Sequence, residues 1–273
     1  MTHNTVIIKK CDHDKFYTNP KIASELLSRL DEIIPLKDKL VIEPSAGNGS
    51  FLHYLKEHHI KYLALDLVPE GQDIIEQDFF DFVPRQKDNL VFVGNPPFGK
   101  NSSLAIKFFN HASKYAEVIA FIIPKTFRKI GTHDRLDLNF HLIKDIDTPK
   151  NCFLLKDVPY DVPCCFQIWV RKGVPRKKTP KVSIDYLTFT KDPSVANIAI
   201  RRVGGKAGRL ETEHLTSLAY ESYYFIIIDE NIKTSFIEQY EKIDFQEIVN
   251  NTVGVKSLSK NELAIEIQKK VRF

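Results

Sequence analysis

Residues 93–100 read VGNPPFGK. The quartet Asn95-Pro96-Pro97-Phe98 follows the apolar run Leu90-Val91-Phe92-Val93. Neither proline has an N–H to give to a ladder, so a strand must stop there. What remains is a stiff turn carrying an amide side chain, a free-standing carbonyl and an aromatic ring. Such a set suits an aromatic amine. The Asn95 side-chain oxygen and the Pro96 carbonyl can each accept one N–H of the same nitrogen. Held that way, a nitrogen whose lone pair is delocalised into its ring becomes more tetrahedral. Its lone pair can then be aimed at an electrophilic carbon. For an in-line displacement, positioning of this kind is most of the catalysis. Pro97 stiffens the turn, and Phe98 can stack on a flat ring.

Three further polar clusters follow short apolar runs. Leu40-Val41-Ile42 leads into Glu43-Pro44-Ser45-Ala46-Gly47-Asn48-Gly49. Glycines let a ligand press against the backbone, and a helix N-terminus supplies N–H donors. Tyr62-Leu63-Ala64-Leu65 ends at Asp66, 19 residues after Gly47. An acid at that spacing suits a pair of ribose hydroxyls. Asp78-Phe79 suits an adenine amino group and ring face. A nucleoside-bearing ligand across these clusters is therefore predicted, with chemistry at Asn95. The loop is no P-loop, because no Gly-Lys-Ser/Thr follows it. It also lacks the third glycine of a dinucleotide fingerprint. A carboxylate at Glu43 repels a pyrophosphate but welcomes an amino group. That favours S-adenosylmethionine over NAD.

The ordered series FYTNP, EPSAGNGSF, LALD, QDFF, NPPFG resembles the class I methyltransferases that modify the exocyclic amino group of adenine. With FYTNP ahead of the glycine loop, the order is similar to the gamma arrangement of DNA adenine methyltransferases. These are enzymes of restriction-modification systems. The resemblance spans roughly residues 15–170. It implies that Phe16, Tyr17 and Thr18 cover the methionine end of the cofactor. Glu43, Pro44, Ser45, Ala46, Gly47 and Gly49 would cradle it, with Asp66 on the ribose and Asp78 and Phe79 on the adenine. Asn95 to Phe98 would hold the target amine, and Tyr160 is the positional match for a second stacking ring. A base inside a duplex cannot reach such a pocket, so it is flipped out or taken from a single strand. Similar quartets occur in RNA adenine and guanine-amino methylases and in glutamine methylases of release factors. A methyltransferase fold kept only as a binding subunit is a fourth reading, one that has no use for an intact Asn95 and Asp66.

These clusters need a scaffold that brings strand ends together. Short apolar runs at 40–42, 62–65, 74–82, 90–94 and 117–124 alternate with helical patterns, which predicts an α/β, mostly parallel, doubly wound Rossmann-like methyltransferase sheet. Asn19-Pro20 opens one helix, with Ile22, Leu26, Leu27, Leu30 and Ile33 at helical spacing. A later strand pair is expected between Phe153 and Val170. Composition changes near residue 173, which predicts a catalytic domain over 1–172 and a smaller α+β segment over 173–273. Its last helix opens on a capping box, Ser259-Lys260-Asn261-Glu262.

The 273 residues, 43% of them hydrophobic, suit one large or two smaller domains. The net charge of +4 is unevenly placed. Residues 171–209 hold eleven lysines and arginines against Asp185 and Asp192. Arg171, Lys172, Arg176, Lys177, Lys178, Arg201 and Arg202 are thus candidate contacts to a polyanion, DNA first and RNA second. Four cysteines (Cys11, Cys152, Cys164, Cys165) show neither disulfide nor zinc spacing. His53, His58 and His59 read as a solvated helix end, so no metal is expected. No apolar run is long enough for a membrane span, and the first residues lack a secretory pattern. A cytoplasmic protein is the expectation.

Overall fold

The computed structural model describes residues 16–155 and 158–273, so Cys11 lies outside the described residues. The chain forms two compact units. One holds the described residues up to Phe127 together with Gly131–Lys178. The other joins Arg128–Ile130 to Thr179–Phe273.

The first unit is a doubly wound α/β sheet. Its elements are β1 (Tyr17–Thr18), α1 (Pro20–Ile33), β2 (Leu40–Glu43), α2 (Leu52–Glu57), β3 (Tyr62–Asp66), β4 (Ile74–Glu76), β5 (Leu90–Gly94), α3 (Ser103–Ala112), β6 (Val118–Pro124), β7 (Phe140–Asp147), β8 (Phe153–Leu155), β9 (Val158–Tyr160) and β10 (Cys164–Arg171). Seven strands lie in the order β4-β3-β2-β5-β6-β10-β7. Those from β4 to β6 are parallel. β10 runs antiparallel to both β6 and β7.

Successive strand residues face opposite sides, so a strand covered on both sides must be apolar throughout. β6 obeys this, being buried at every position. Val41, Val91, Val93, Ala120 and Ile122 join one core with Ala23, Leu26, Leu27 and Leu30 of α1. Ile42, Phe92, Ile119 and Phe121 join the other with Ala105, Ile106 and Phe109 of α3. α1 starts where expected: Asn19 Oδ1 accepts from Lys21 N at 3.0 Å, with Pro20 in the first turn. A cap of this kind contributes about 1 kcal/mol.

The region after β6 differs from the sequence reading. β10 does not pair with Phe153; it lies between β6 and β7. β7 has no clear apolar signal because half of its FHLIKDID positions are polar and none of those is buried. Phe153 instead belongs to a separate small sheet, β1-β8-β9, in which Tyr17 pairs with Leu154 and Thr18 with Phe153. The FYT segment is thereby sewn onto a hairpin 135 residues downstream (Asn19 N also donates to Cys152 O at 2.8 Å).

The second unit is α+β. A four-stranded antiparallel sheet runs β11-β14-β12-β13, formed by β11 (Leu187–Thr190), β12 (Ile198–Arg201), β13 (Leu210–Glu211) and β14 (Tyr223–Ile228). Helices α4 (Glu230–Tyr240), α5 (Gln246–Val249) and α6 (Lys260–Lys270) share its core through Phe236, Val249, Leu263 and Ile267. The capping box forms: Ser259 Oγ accepts from Glu262 N at 3.2 Å, and Glu262 Oε2 accepts from Ser259 N at 2.9 Å.

Candidate active site

Parallel strands present their carboxyl ends on one edge, and four of them meet here. A cavity of about 340 Å³ opens beyond β2, β3, β4 and β5, within the size range of small-molecule sites. It is lined by Phe16, Tyr17 and Thr18; by Glu43, Pro44, Ser45, Ala46 and Gly47; by Asp66, Asp78 and Phe79; and by Asn95, Pro96, Pro97 and Phe98. Gly49 lies behind the loop, on a second cavity of about 270 Å³. Tyr160 does not line the main cavity.

The Asn95 turn is pinned at both ends. Ser45 Oγ donates to the Asn95 carbonyl at 3.3 Å. The Phe98 carbonyl accepts from Leu104 N and Ala105 N at the start of α3, at 3.1 and 3.3 Å. Inside the turn, Asn95 Nδ2 donates to the Phe16 carbonyl at 3.1 Å. That bond sets which way the amide faces. The opposite atom, Asn95 Oδ1, is buried and accepts no hydrogen bond among the described residues. A buried acceptor left empty is costly.

Glu43 shows the same pattern. The residue is 2% exposed, and its Oε2 is buried without a partner among the described residues. Burial pushes its carboxyl well above the usual range, and the neighbouring Asp66 charge adds to the effect. The site is thus built to receive a cation or a strong donor. Asp66 organises the glycine loop: Oδ2 accepts from Gly47 N at 2.7 Å and Oδ1 from Val68 N at 2.9 Å. A carboxylate has further lone pairs and can still take hydroxyl donors. Gly47 has φ +55°, and a Cβ there would stand 3.1 Å from the Tyr17 ring. Only glycine lets this strap, residues 16–18, lie so close to the loop. Tyr17 in turn donates to Glu70 Oε1 at 2.5 Å.

Asp78 caps the short turn of Phe79–Asp81, with Oδ1 accepting from Phe80 N at 2.8 Å. Phe79 is buried and stacks on Phe108 at 5.1 Å. Several lining residues have no counterpart in the sequence reading: Leu67, Val68, Glu70, Gln77, Phe80, Leu104 and Phe108. A signal for two of them was present. Leu67 and Val68 are apolar residues placed after a strand end and before Pro69, where a chain leaving its sheet becomes exposed.

Tyr160 stacks on Phe16, with centroids 5.2 Å apart and planes 13° apart. Phe153 meets Phe16 at 6.2 Å and Phe98 at 6.4 Å. The strap ring therefore sits in an aromatic cluster. The candidate polyanion contacts fall on both units. Arg171 and Arg176 are committed internally: Arg171 donates to the Ala116 and Ser113 carbonyls, and Arg176 to those of Phe140 and His133. Lys172, Lys177 and Lys178 are exposed. On the second unit, Arg201 donates to Val203 O and lies over the Tyr223 ring, whereas Arg202 is exposed above Tyr224. Among the described residues no cluster could hold a metal ion, and no helix is long and apolar enough to cross a membrane.

No family model matches the chain, and no curated protein matches it. Several solved structures are similar in part. A candidate RNA methyltransferase from Pyrococcus horikoshii aligns over 55% of this chain and 82% of its own, at 16% identity and a TM-score of 0.45. The modification subunit of a candidate type I restriction enzyme from Vibrio vulnificus aligns over 96% of this chain and 63% of its own, at 13% identity and a TM-score of 0.48. The plantazolicin methyltransferase BpumL, in complex with SAH, aligns over 56% and 83%, at 10% identity and a TM-score of 0.40. Likenesses this distant carry no functional weight for this chain.

Proposed function

We propose that this protein is an S-adenosylmethionine-dependent methyltransferase acting on the exocyclic N6 amine of adenine in DNA. The observation that carries this reading is the Asn95 amide. Its nitrogen is tied to the Phe16 carbonyl, its buried oxygen has no partner among the described residues, and Pro96, next in the turn, lines the same cavity. Two acceptors on a pinned turn match the two N–H groups of one aromatic amine.

The residues of the cavity fit the proposed cofactor. Glu43, buried and with Oε2 unpartnered among the described residues, suits the methionine ammonium. Gly47 lets Tyr17 close against the loop at the cavity wall, and Asp66 stands where ribose hydroxyls would donate. Asp78 and Phe79, with Phe80, Leu67 and Val68, form the wall for an adenine ring. When bound, S-adenosylmethionine supplies a methyl group on a sulfonium. Asn95 Oδ1 and Pro96 O hold the amine hydrogens and turn its lone pair into the cavity, while Phe98 covers the base. No general base is required, because a methylated amine is acidic and loses its proton readily.

Residues 1–172 are read as the catalytic part and 173–273 as the part that grips substrate. Exposed Lys172, Lys177, Lys178 and Arg202 are the strongest phosphate contacts. The test is transfer of a tritiated methyl group to DNA, RNA and protein pools, followed by nucleoside and amino-acid analysis. Label recovered as N6-methyladenine from DNA is expected, and Asn95→Ala should lower it about 10²–10³-fold. Label in RNA or on glutamine would reassign the substrate. No transfer to any pool would remove the enzyme reading.

A further inference from the structure

Residues 250–256 of the second unit form a surface loop whose base rests on a buried charge. Lys129 Nζ donates to Ile248 O at 2.8 Å and to Ser257 O at 2.7 Å, the two carbonyls that bracket the loop. It also pairs with Glu262 Oε2 at 3.3 Å, the two side chains being only 14% and 5% exposed. Burial of an ammonium is unfavourable unless it is fully hydrogen-bonded, so this clamp is a costly way to tie a surface turn. The stem is laced further. Gly204 N donates to Lys256 O at 2.9 Å, Leu258 N donates to Arg202 O at 2.8 Å, and Val203 bridges to Ser257.

The tip held by this stem is apolar. Val253 is 40% exposed and Val255 71% exposed. Gly254 between them has open space around it. Its frame is basic. Lys256 follows the tip directly, and the turn hydrogen-bonded to the stem carries exposed Arg202 and Lys206. Among the described residues none of these three forms an ion pair. Valine is stiff at χ1, so the tip presents two blunt, fixed apolar ends ringed by unneutralised cations.

We infer that this tip is a wedge that enters nucleic acid at a base step while Arg202, Lys206 and Lys256 hold the flanking phosphates. The inference rests on the nucleic-acid reading of the active site. Apolar side chains pushed between bases, with basic neighbours on the backbone, unstack a step at modest cost. An anionic membrane is the other partner with this charge pattern. It is disfavoured because surface-binding elements bury a broad amphipathic face with large side chains, and this tip offers two valines.

The test uses the full chain and a mixed-sequence DNA duplex bearing 2-aminopurine, with the matching RNA duplex and phosphatidylserine vesicles as further arms. Wild type should bind the DNA and raise the 2-aminopurine signal. The double variant Val253→Ser, Val255→Ser should bind about tenfold more weakly, lose the signal rise and keep the salt slope. The triple variant Arg202→Ala, Lys206→Ala, Lys256→Ala should flatten the slope of log K against log salt by about 2–3. All five positions lie on the loop or its frame, and unchanged thermal melting confirms that the fold is retained. If wild type binds and methylates nucleic acid and the valine variant matches it in affinity and signal, the wedge is wrong and the active-site reading stands. If wild type methylates only protein, the active-site reading has failed on its own assay. Valine-dependent binding to vesicles, with nucleic-acid binding unaffected, would also overturn the wedge.

Discussion

Asn95 and Phe16 are 79 positions apart, and the side-chain amide of the first donates to the backbone carbonyl of the second at 3.1 Å. An asparagine side chain can face either way with little change in shape. This bond removes the choice, because only the nitrogen can donate. The oxygen is then left buried without a partner among the described residues.

Replacing Asn95 by alanine removes that oxygen. Methyl transfer should fall about 10²–10³-fold, the loss seen when one preset hydrogen-bonding group leaves an active site. Cofactor affinity should change little, since Glu43, Gly47 and Asp66 are untouched. Single-turnover transfer and calorimetric binding separate the two quantities. A normal rate in Asn95→Ala would exclude the acceptor role.

Tyr160 acts in this structure through Phe16, whose ring it stacks at 5.2 Å. Loss of an aromatic pair forfeits roughly 0.5–1.5 kcal/mol, enough to lower the population of a well-oriented Asn95 by up to about tenfold. Tyr160→Ala should therefore reduce kcat with KM for nucleic acid near the wild-type value, and Tyr160→Phe should restore it. A rise in KM with unchanged kcat would instead mark Tyr160 as a direct contact to the target base.

Gly47→Ala puts a Cβ 3.1 Å from the Tyr17 ring at a φ of +55°. Left-handed backbone costs a non-glycine residue about 1–2 kcal/mol, and the strap must also shift. Lower melting temperature and weaker cofactor binding are expected together. Gly131→Ala, where no atom lies within 4 Å, is the matched control and should be neutral.

Burial, and next the Asp66 charge, raise the Glu43 carboxyl well above its ordinary range. The stability it contributes is fully present below its ordinary value of 4.5 and is lost as pH rises through the raised one. In the cofactor-free protein, Glu43→Gln should melt with wild type in acid and above it at neutral and alkaline pH. Cofactor binding should move the other way, weakening in Glu43→Gln. In wild type it should release a proton, so affinity should rise with pH. Thermal scans across pH, with calorimetry in buffers of different ionisation enthalpy, read both effects. A melting difference independent of pH would mean that Glu43 ionises freely.

Much of this was legible in the chain. Apolar runs at 40–42, 62–65, 90–94 and 117–124 became the central strands, because a strand covered on both faces cannot hide its composition. Asn19-Pro20 and Ser259 to Glu262 became helix starts, because a cap acts over three residues. β7 escaped notice because its partly covered positions are polar, and Phe153 was assigned to the wrong partner because pairing is not a local property. Arg171 and Arg176 read as candidate polyanion contacts, yet both donate to backbone carbonyls of the first unit.

By itself, the sequence determined which residues stand at strand ends, since period, rigidity and capping are written in neighbours a few positions apart. Only the tertiary structure decided which way Asn95 faces, what Tyr160 stacks on and which arginines are free. Those outcomes depend on contacts between segments dozens of residues apart, such as the strap at Tyr17–Thr18 on β8. Such contacts exist only once the sheet has closed and set the register between them.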